Sequence, residues 1–160
     1  MNRWVSKVGV FDVDLAANGA VRSLKLADET VDVPFLDAEI TSHIDAFING
    51  DPTAIKLDLG EVKSPIQQFV LAKLLEIPRG QVRSYAWVAR EIGEPRAVRA
   101  VATAVARNPI PILIPCHRVV RSDGKIGEFI FGPMFKHRLL ENEGVSVHDT
   151  AALKQQCNPG

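Results

Sequence analysis

Arg107-Asn108-Pro109-Ile110-Pro111-Ile112-Leu113-Ile114-Pro115-Cys116-His117-Arg118-Val119-Val120 separates a helical stretch of the chain from a reactive one. Upstream, Pro95 opens a segment from Arg96 to Arg107 that is rich in alanine and valine and reads as a helix. Asn108-Pro109 ends it, since proline lacks an amide donor and disfavours helical backbone in the residue before it. The apolar run Ile112-Leu113-Ile114 reads as a strand leading to a cysteine directly beside a histidine. That pair offers a nucleophile and a general base at one point, because a thiol attacks strongly once its proton is drawn off. The bland alternative is a buried, inert thiol.

Working outward, Ser84 is placed to cap a short helix from Tyr85 to Ile92, which stops at Gly93. Two helices around Gly93-Glu94-Pro95 form a helix-turn-helix pattern, and the second carries Arg96, Arg99 and Arg107. Ser64-Pro65 opens an earlier helix with the stripe Ile66, Phe69, Val70, the Lys73 stem, Leu74 and Ile77, ended by Pro78-Arg79-Gly80. After Val120 come a turn at Arg121–Lys125, a glycine-bounded loop from Gly127 to Gly132, and a helix from Phe135 to Asn142. Near the start, Val8–Val13 and Val21–Leu26 read as strands joined around Asn18-Gly19. Ile40, Ile44 and Phe47 define a helix from Asp37, and Ile55–Leu59 alternates as a third strand. The expected fold is α/β. A small lobe over 1–60 holds a short antiparallel sheet and a helix, and 61–64 is a linker. A mostly helical lobe over 65–146 carries the helix-turn-helix and the cysteine, and 147–160 is a polar, loosely held tail.

Composition excludes little. The chain is 46% hydrophobic and 24% charged with zero net charge, ordinary for a globular protein. Charge distribution is more informative. Residues 1–60 carry ten acidic and five basic side chains, whereas 79–125 carry nine basic and three acidic. A basic segment on a neutral protein implies an anion-binding face, or else solvated surface arginines. Cys116 and Cys157 lie in dissimilar contexts, so a reducing compartment is expected over a disulfide. No apolar run approaches ~18 residues and no leader is evident, so a cytoplasmic protein without a membrane partner is expected. Residues 1–60 hold no cysteine and only His43, and neither metal nor cofactor is expected.

From Arg96 to Gly144 the chain resembles the O6-alkylguanine-DNA alkyltransferases, or methylated-DNA–protein-cysteine methyltransferases. The resemblance rests on Ala97-Val98-Arg99-Ala100-Val101, Arg107-Asn108-Pro109 and Pro111 through Val120. Gly127, Gly132, Lys136, Leu139-Leu140 and Glu143-Gly144 follow; Ser64–Ala89, with Pro78-Arg79-Gly80 and Ser84-Tyr85, also looks like the family, and the N-terminal lobe agrees in type only. It implies a monomer that binds double-stranded DNA carrying O6-alkylguanine, flips the base out and takes the alkyl group onto Cys116, once. It implies that His117, acting through water, is the base, that Glu143 orients it and that Tyr85 donates a hydrogen bond to the guanine. Asn108 would hold the turn before the cysteine. Arg99, seventeen positions before Cys116, would replace the flipped base, with Arg96, Arg107, Arg118, Ser64 and Ser84 also against DNA. Main chain near Val119, with Glu128, Phe129 and Ile130, would line the pocket.

The chain departs from the family's pattern where tyrosine usually stands at Phe129 and glycine or asparagine at Glu128. An apolar lip with one added carboxylate implies a bulkier or more apolar adduct. Other readings are a lesion-binding sensor without chemistry, a helix-turn-helix regulator responding to cysteine alkylation, and a cysteine hydrolase. Retention of Cys116, His117 and Glu143 argues against the sensor, whose known relatives lack the cysteine.

Overall fold

The computed structural model describes all 160 residues, which fold as two compact units. The first is Met1–Glu61 with Pro109–Leu113, and the second is Val62–Asn108 with Ile114–Gly160. No helix is long and apolar enough to cross a membrane.

In the first unit, β1 (Asn2–Ser6), β2 (Gly9–Leu15) and β3 (Val21–Leu26) form an antiparallel sheet in that order. β3 has the expected bounds, and β2 is shifted slightly from Val8–Val13. β1 was not legible, because Asn2-Arg3-Trp4-Val5-Ser6 has only two apolar residues and is defined by its pairing with β2. Between β2 and β3, Gly19 takes φ +83° while Asn18 accepts from the Ala20 amide at 3.1 Å. Asp37 caps α1 (Ala38–Ile48) by accepting from the Glu39 and Ile40 amides. Trp4 is fully buried against Phe11 and donates its indole N–H to Asp45 of α1 at 2.9 Å, closing sheet and helix over one core. The third strand expected at Ile55–Leu59 is a single bridge, Val21 to Leu57, with no ladder beyond it.

The amide of Leu24 donates to the Pro109 carbonyl at 3.0 Å, drawing Pro109–Leu113 onto β3. There Ile112 adopts φ +76°, a left-handed conformation costing about 1–3 kcal/mol for such a residue. Its side chain is 1% exposed, and burying an isoleucine contributes about 1.5–3 kcal/mol, so packing can hold the strain.

In the second unit, Ser64 caps α2 (Pro65–Leu74) by accepting from the Gln67 amide, with proline in the first turn. The helix buries Val70, Leu71 and Leu74. Phe69, expected in that stripe, is 64% exposed, since Leu71 takes the inward position. β4 (Arg83–Ser84) pairs in parallel with β5 (Val119–Val120). α3 (Tyr85–Glu91), a turn at Gly93, and α4 (Val98–Ala106) follow, and α4 packs on α2 and α3. Cys116 lies in a single 3-10 turn, Cys116–Arg118, and not in a strand. α5 (Pro133–Asn142) and α6 (Thr150–Gln156) complete the unit.

The loosely held tail is corrected by α6. Asp149 caps it through the Ala152 amide, and Leu153 and Cys157 enter a core with Val82, Val120, Leu140, Val145 and Val147. The Cys157 carbonyl accepts from the Ser84 amide at 2.7 Å. A Cβ at Gly124 would stand 2.2 Å from the Thr150 carbonyl oxygen, so the turn needs glycine for α6 to dock. The segment reads as polar because only one helical row faces inward, at Leu153 and Cys157. Leu153→Ala should lower unfolding stability by about 2–5 kcal/mol in a denaturant titration; a loose tail would leave the midpoint unchanged.

Candidate active site

A cavity of about 300 Å³ opens in the second unit, lined by Tyr85, Ala102, Val105, Ala106, Cys116, Glu128, Phe129 and Ile130. Three local features assemble it. Tyr85 begins α3 immediately after β4, and the Arg83–Val119 and Ser84–Val120 register sets it beside the chain leaving Cys116. Asn108, 2% exposed, donates its side-chain amide to the Ile114 carbonyl at 2.9 Å, while its own amide closes α4 on Val105. This fixes the turn that brings the cysteine under α4. The Gly127–Gly132 loop forms the lip, where Phe129, Phe131 and Phe135 meet edge to face. Glu128 does not adopt the left-handed backbone, which among non-glycine residues falls only to Ile112.

Behind the thiol lies a group of buried charges. Glu143 accepts from His117 Nε2 at 3.0 Å and takes both Nε and Nη2 of Arg118, at 2.8 and 2.7 Å. Burial works to raise the Glu143 carboxyl, but hydrogen bonds and charge from Arg118 and His117 outweigh it and hold it down at about 2. Burial lowers the His117 imidazole below its ordinary 6.5, the Glu143 contact opposing. A neutral imidazole facing an ionised, acceptor-only carboxylate must carry its proton on Nε2. Nδ1 therefore holds the lone pair, and it is buried without a hydrogen-bond partner in the protein. A base is thus ready one residue from the thiol.

Lys136 is the residue that sequence reasoning left without a role. It is fully buried, and its amine donates to the carbonyls of Val119 at 2.6 Å and Glu128 at 3.1 Å. It ties the pocket lip to the segment after Cys116. Burial pulls its ammonium down to about 8, and negative charge on Cys116 works the other way. A signal existed: Lys136 stands one turn before Leu140, on the inward row of α5. Burial, with the charges of Cys116 and Glu128, pushes the Tyr85 phenol up to about 12, so it keeps its proton as a donor.

Cys116, His117, Glu143, Asn108 and Tyr85 are therefore brought together, as are Glu128, Phe129 and Ile130. Three expectations are corrected. Arg118 cannot meet DNA: it is 7% exposed and committed to Glu143 and the Ile77 carbonyl. Ser84 is fully buried, capping α3 through the Trp87 amide and bonding Asn158. Val119 does not line the cavity: its main-chain carbonyl accepts from Lys136 and its amide donates to the Cys116 carbonyl. Arg96, Arg99, Arg107 and Ser64 stand exposed. Arg99 lies on one helical row with Ala102 and Ala106, which leads into the cavity.

The model of the family described as 6-O-methylguanine DNA methyltransferase, DNA binding domain, matches residues 65–145. A methylated-DNA–protein-cysteine methyltransferase of Mycobacterium leprae is 38% identical over 148 residues, covering 87% of this chain and 90% of the relative. Among solved structures, Mycobacterium tuberculosis OGT in complex with DNA is 30% identical with a TM-score of 0.78, over 93% of this chain and 96% of that one. The O6-methylguanine-DNA methyltransferase of Pyrococcus kodakaraensis superposes with a TM-score of 0.70 at 25% identity, over 90% and 98%. Since the family model spans half the chain and the mycobacterial relative is matched along nine-tenths of its length, the chain belongs to the methylated-DNA–protein-cysteine methyltransferase family.

Proposed function

We propose that this protein repairs O6-alkylguanine in duplex DNA, in the cytoplasm, by a single irreversible transfer of the alkyl group to Cys116. One observation carries the reading: a thiol in the wall of a base-sized cavity adjoins an imidazole whose free nitrogen is its buried Nδ1. His117, through a water, takes the thiol proton. The thiolate attacks the alkyl carbon, an S–C bond forms and the C–O6 bond breaks, leaving its electron pair on the guanine. The guanine gains the proton that the thiol lost, and the products are unmodified guanine and S-alkylcysteine. Tyr85 donates a hydrogen bond that eases departure of the base. Nothing here restores the thiol, so the reaction ends with the protein spent.

A stacked base is out of a thiolate's reach, and flipping costs a few kcal/mol. Arg99 fills the space the base leaves. Ala100, Thr103 and Ala106 give α4 a small exposed face, suited to close approach in a minor groove. Arg96, Arg107 and Ser64 contact phosphates, which position the duplex without reading its sequence. That the similar Mycobacterium tuberculosis protein was solved with DNA supports this side of the reading. The lip of Phe129 and Ile130 favours an apolar adduct.

Incubation with an oligonucleotide containing O6-methylguanine should add one methyl mass to the Cys116 peptide, at one per chain. Cys116→Ala should abolish transfer and keep DNA binding; tight binding with no transfer by the unaltered protein would instead mark a lesion sensor. Arg99→Ala should slow transfer from DNA but leave reaction with the free alkylated base nearly unchanged, and equal slowing of both would make Arg99 structural. Because the folded pKa of His117 is lowered, the imidazole stays neutral as pH falls through 6.5. Single-turnover rates should show no His117-dependent loss until the pH is below that value, and an inflection at or above 6.5 would remove His117 from the role of base.

A further inference from the structure

The outward face of α5 carries a second cluster of ligating groups, away from the cysteine. Lys136 and Leu140 point inward, which turns His137 and Glu141 outward, one turn apart. His137 Nε2 and Glu141 Oε1 are 2.9 Å apart. The His148 ring stands edge to face on the His137 ring, with centroids 4.9 Å apart. His148 is not held there by chance of rotamer alone: Val147 before it is anchored in the core, and Asp149 after it caps α6. One donor atom from each of the three residues lies within 4.8 Å of the others.

We propose that His137, Glu141 and His148 form a surface site for a first-row divalent cation, with zinc the best fit. Two imidazoles and a carboxylate are a donor set that zinc accepts, with a fourth position left for water. Tetrahedral zinc, with metal–nitrogen bonds of about 2.0–2.1 Å, spaces its donors roughly 3.3 Å apart. Small rotations of His137, Glu141 and His148 close that gap. The ion would join α5 to the turn before α6, across the stretch that holds Glu143. Sequence spacing hides the site, because His148 lies beyond the end of α5 and reaches His137 only after the chain reverses.

The test is isothermal titration of metal-stripped protein with zinc chloride, beside thermal unfolding with and without zinc. One equivalent should bind and raise the Tm. His148→Ala and His137→Ala should each weaken binding more than about tenfold and abolish the Tm shift. Cys116→Ala should bind zinc like the unaltered protein. Metal-stripped His148→Ala should still transfer a methyl group from DNA at the unaltered rate, showing that the loss of metal is not a loss of fold. No binding at all, binding indifferent to both histidine substitutions, or binding lost in Cys116→Ala would each overturn the site. Loss of transfer in metal-stripped His148→Ala would make His148 a structural residue and overturn it as well.

Discussion

A buried carboxylate organises the reactive end of this protein. Glu143 receives the fork of Arg118 and the Nε2 proton of His117. Arg118 donates from Nη1 to the Ile77 carbonyl at 2.7 Å, just past the end of α2. The region after α2, the Cys116 turn and the end of α5 thus converge on one anion. Such an arrangement tolerates no half measures, since removing one partner of a buried pair leaves an uncompensated charge at about 3–5 kcal/mol. The anion also selects the imidazole tautomer, and so decides which nitrogen is free to act as base. Structural and chemical roles of Glu143 cannot be separated.

A second buried charge, Lys136, makes the region electrostatically receptive to a thiolate. Glu143 and Arg118 balance each other, whereas Lys136 has only carbonyl oxygens as hydrogen-bond acceptors. Negative charge on Cys116 favours the ammonium form of Lys136, and by reciprocity the ammonium favours the thiolate. The same amine holds the lip carbonyl of Glu128, so position of the pocket and charge at its base depend on one side chain.

Much of the site was readable because its members are close in the chain or follow strong local rules. Cys116 and His117 are adjacent, Asn108 stands at a helix stop, and Ser64 and Ser84 cap helices as their types predict. Long-range packing accounts for what was missed. β1 is defined by its pairing with β2 on one edge and a bridge from Arg3 to Phe35 on the other, and Ile55–Leu59 alternates like a strand yet finds a single bridge. Arg118 looks like any basic surface residue until Glu143, twenty-five positions away, is brought to it. The polar segment after Ser146 is anchored by three inward residues, Val147, Leu153 and Cys157, whose core is largely built elsewhere.

Taken alone, the sequence determined the reactive pair, the helices around it and the family whose motif it carries. Those are properties of neighbouring residues, of caps, breakers and short spacings. Tertiary structure decided which cations face solvent and which are buried, which imidazole nitrogen is free, and that Lys136 stands behind the thiol. Each of these depends on burial and on partners distant in the chain, because the free energy of a charge is set by the groups around it once water is excluded.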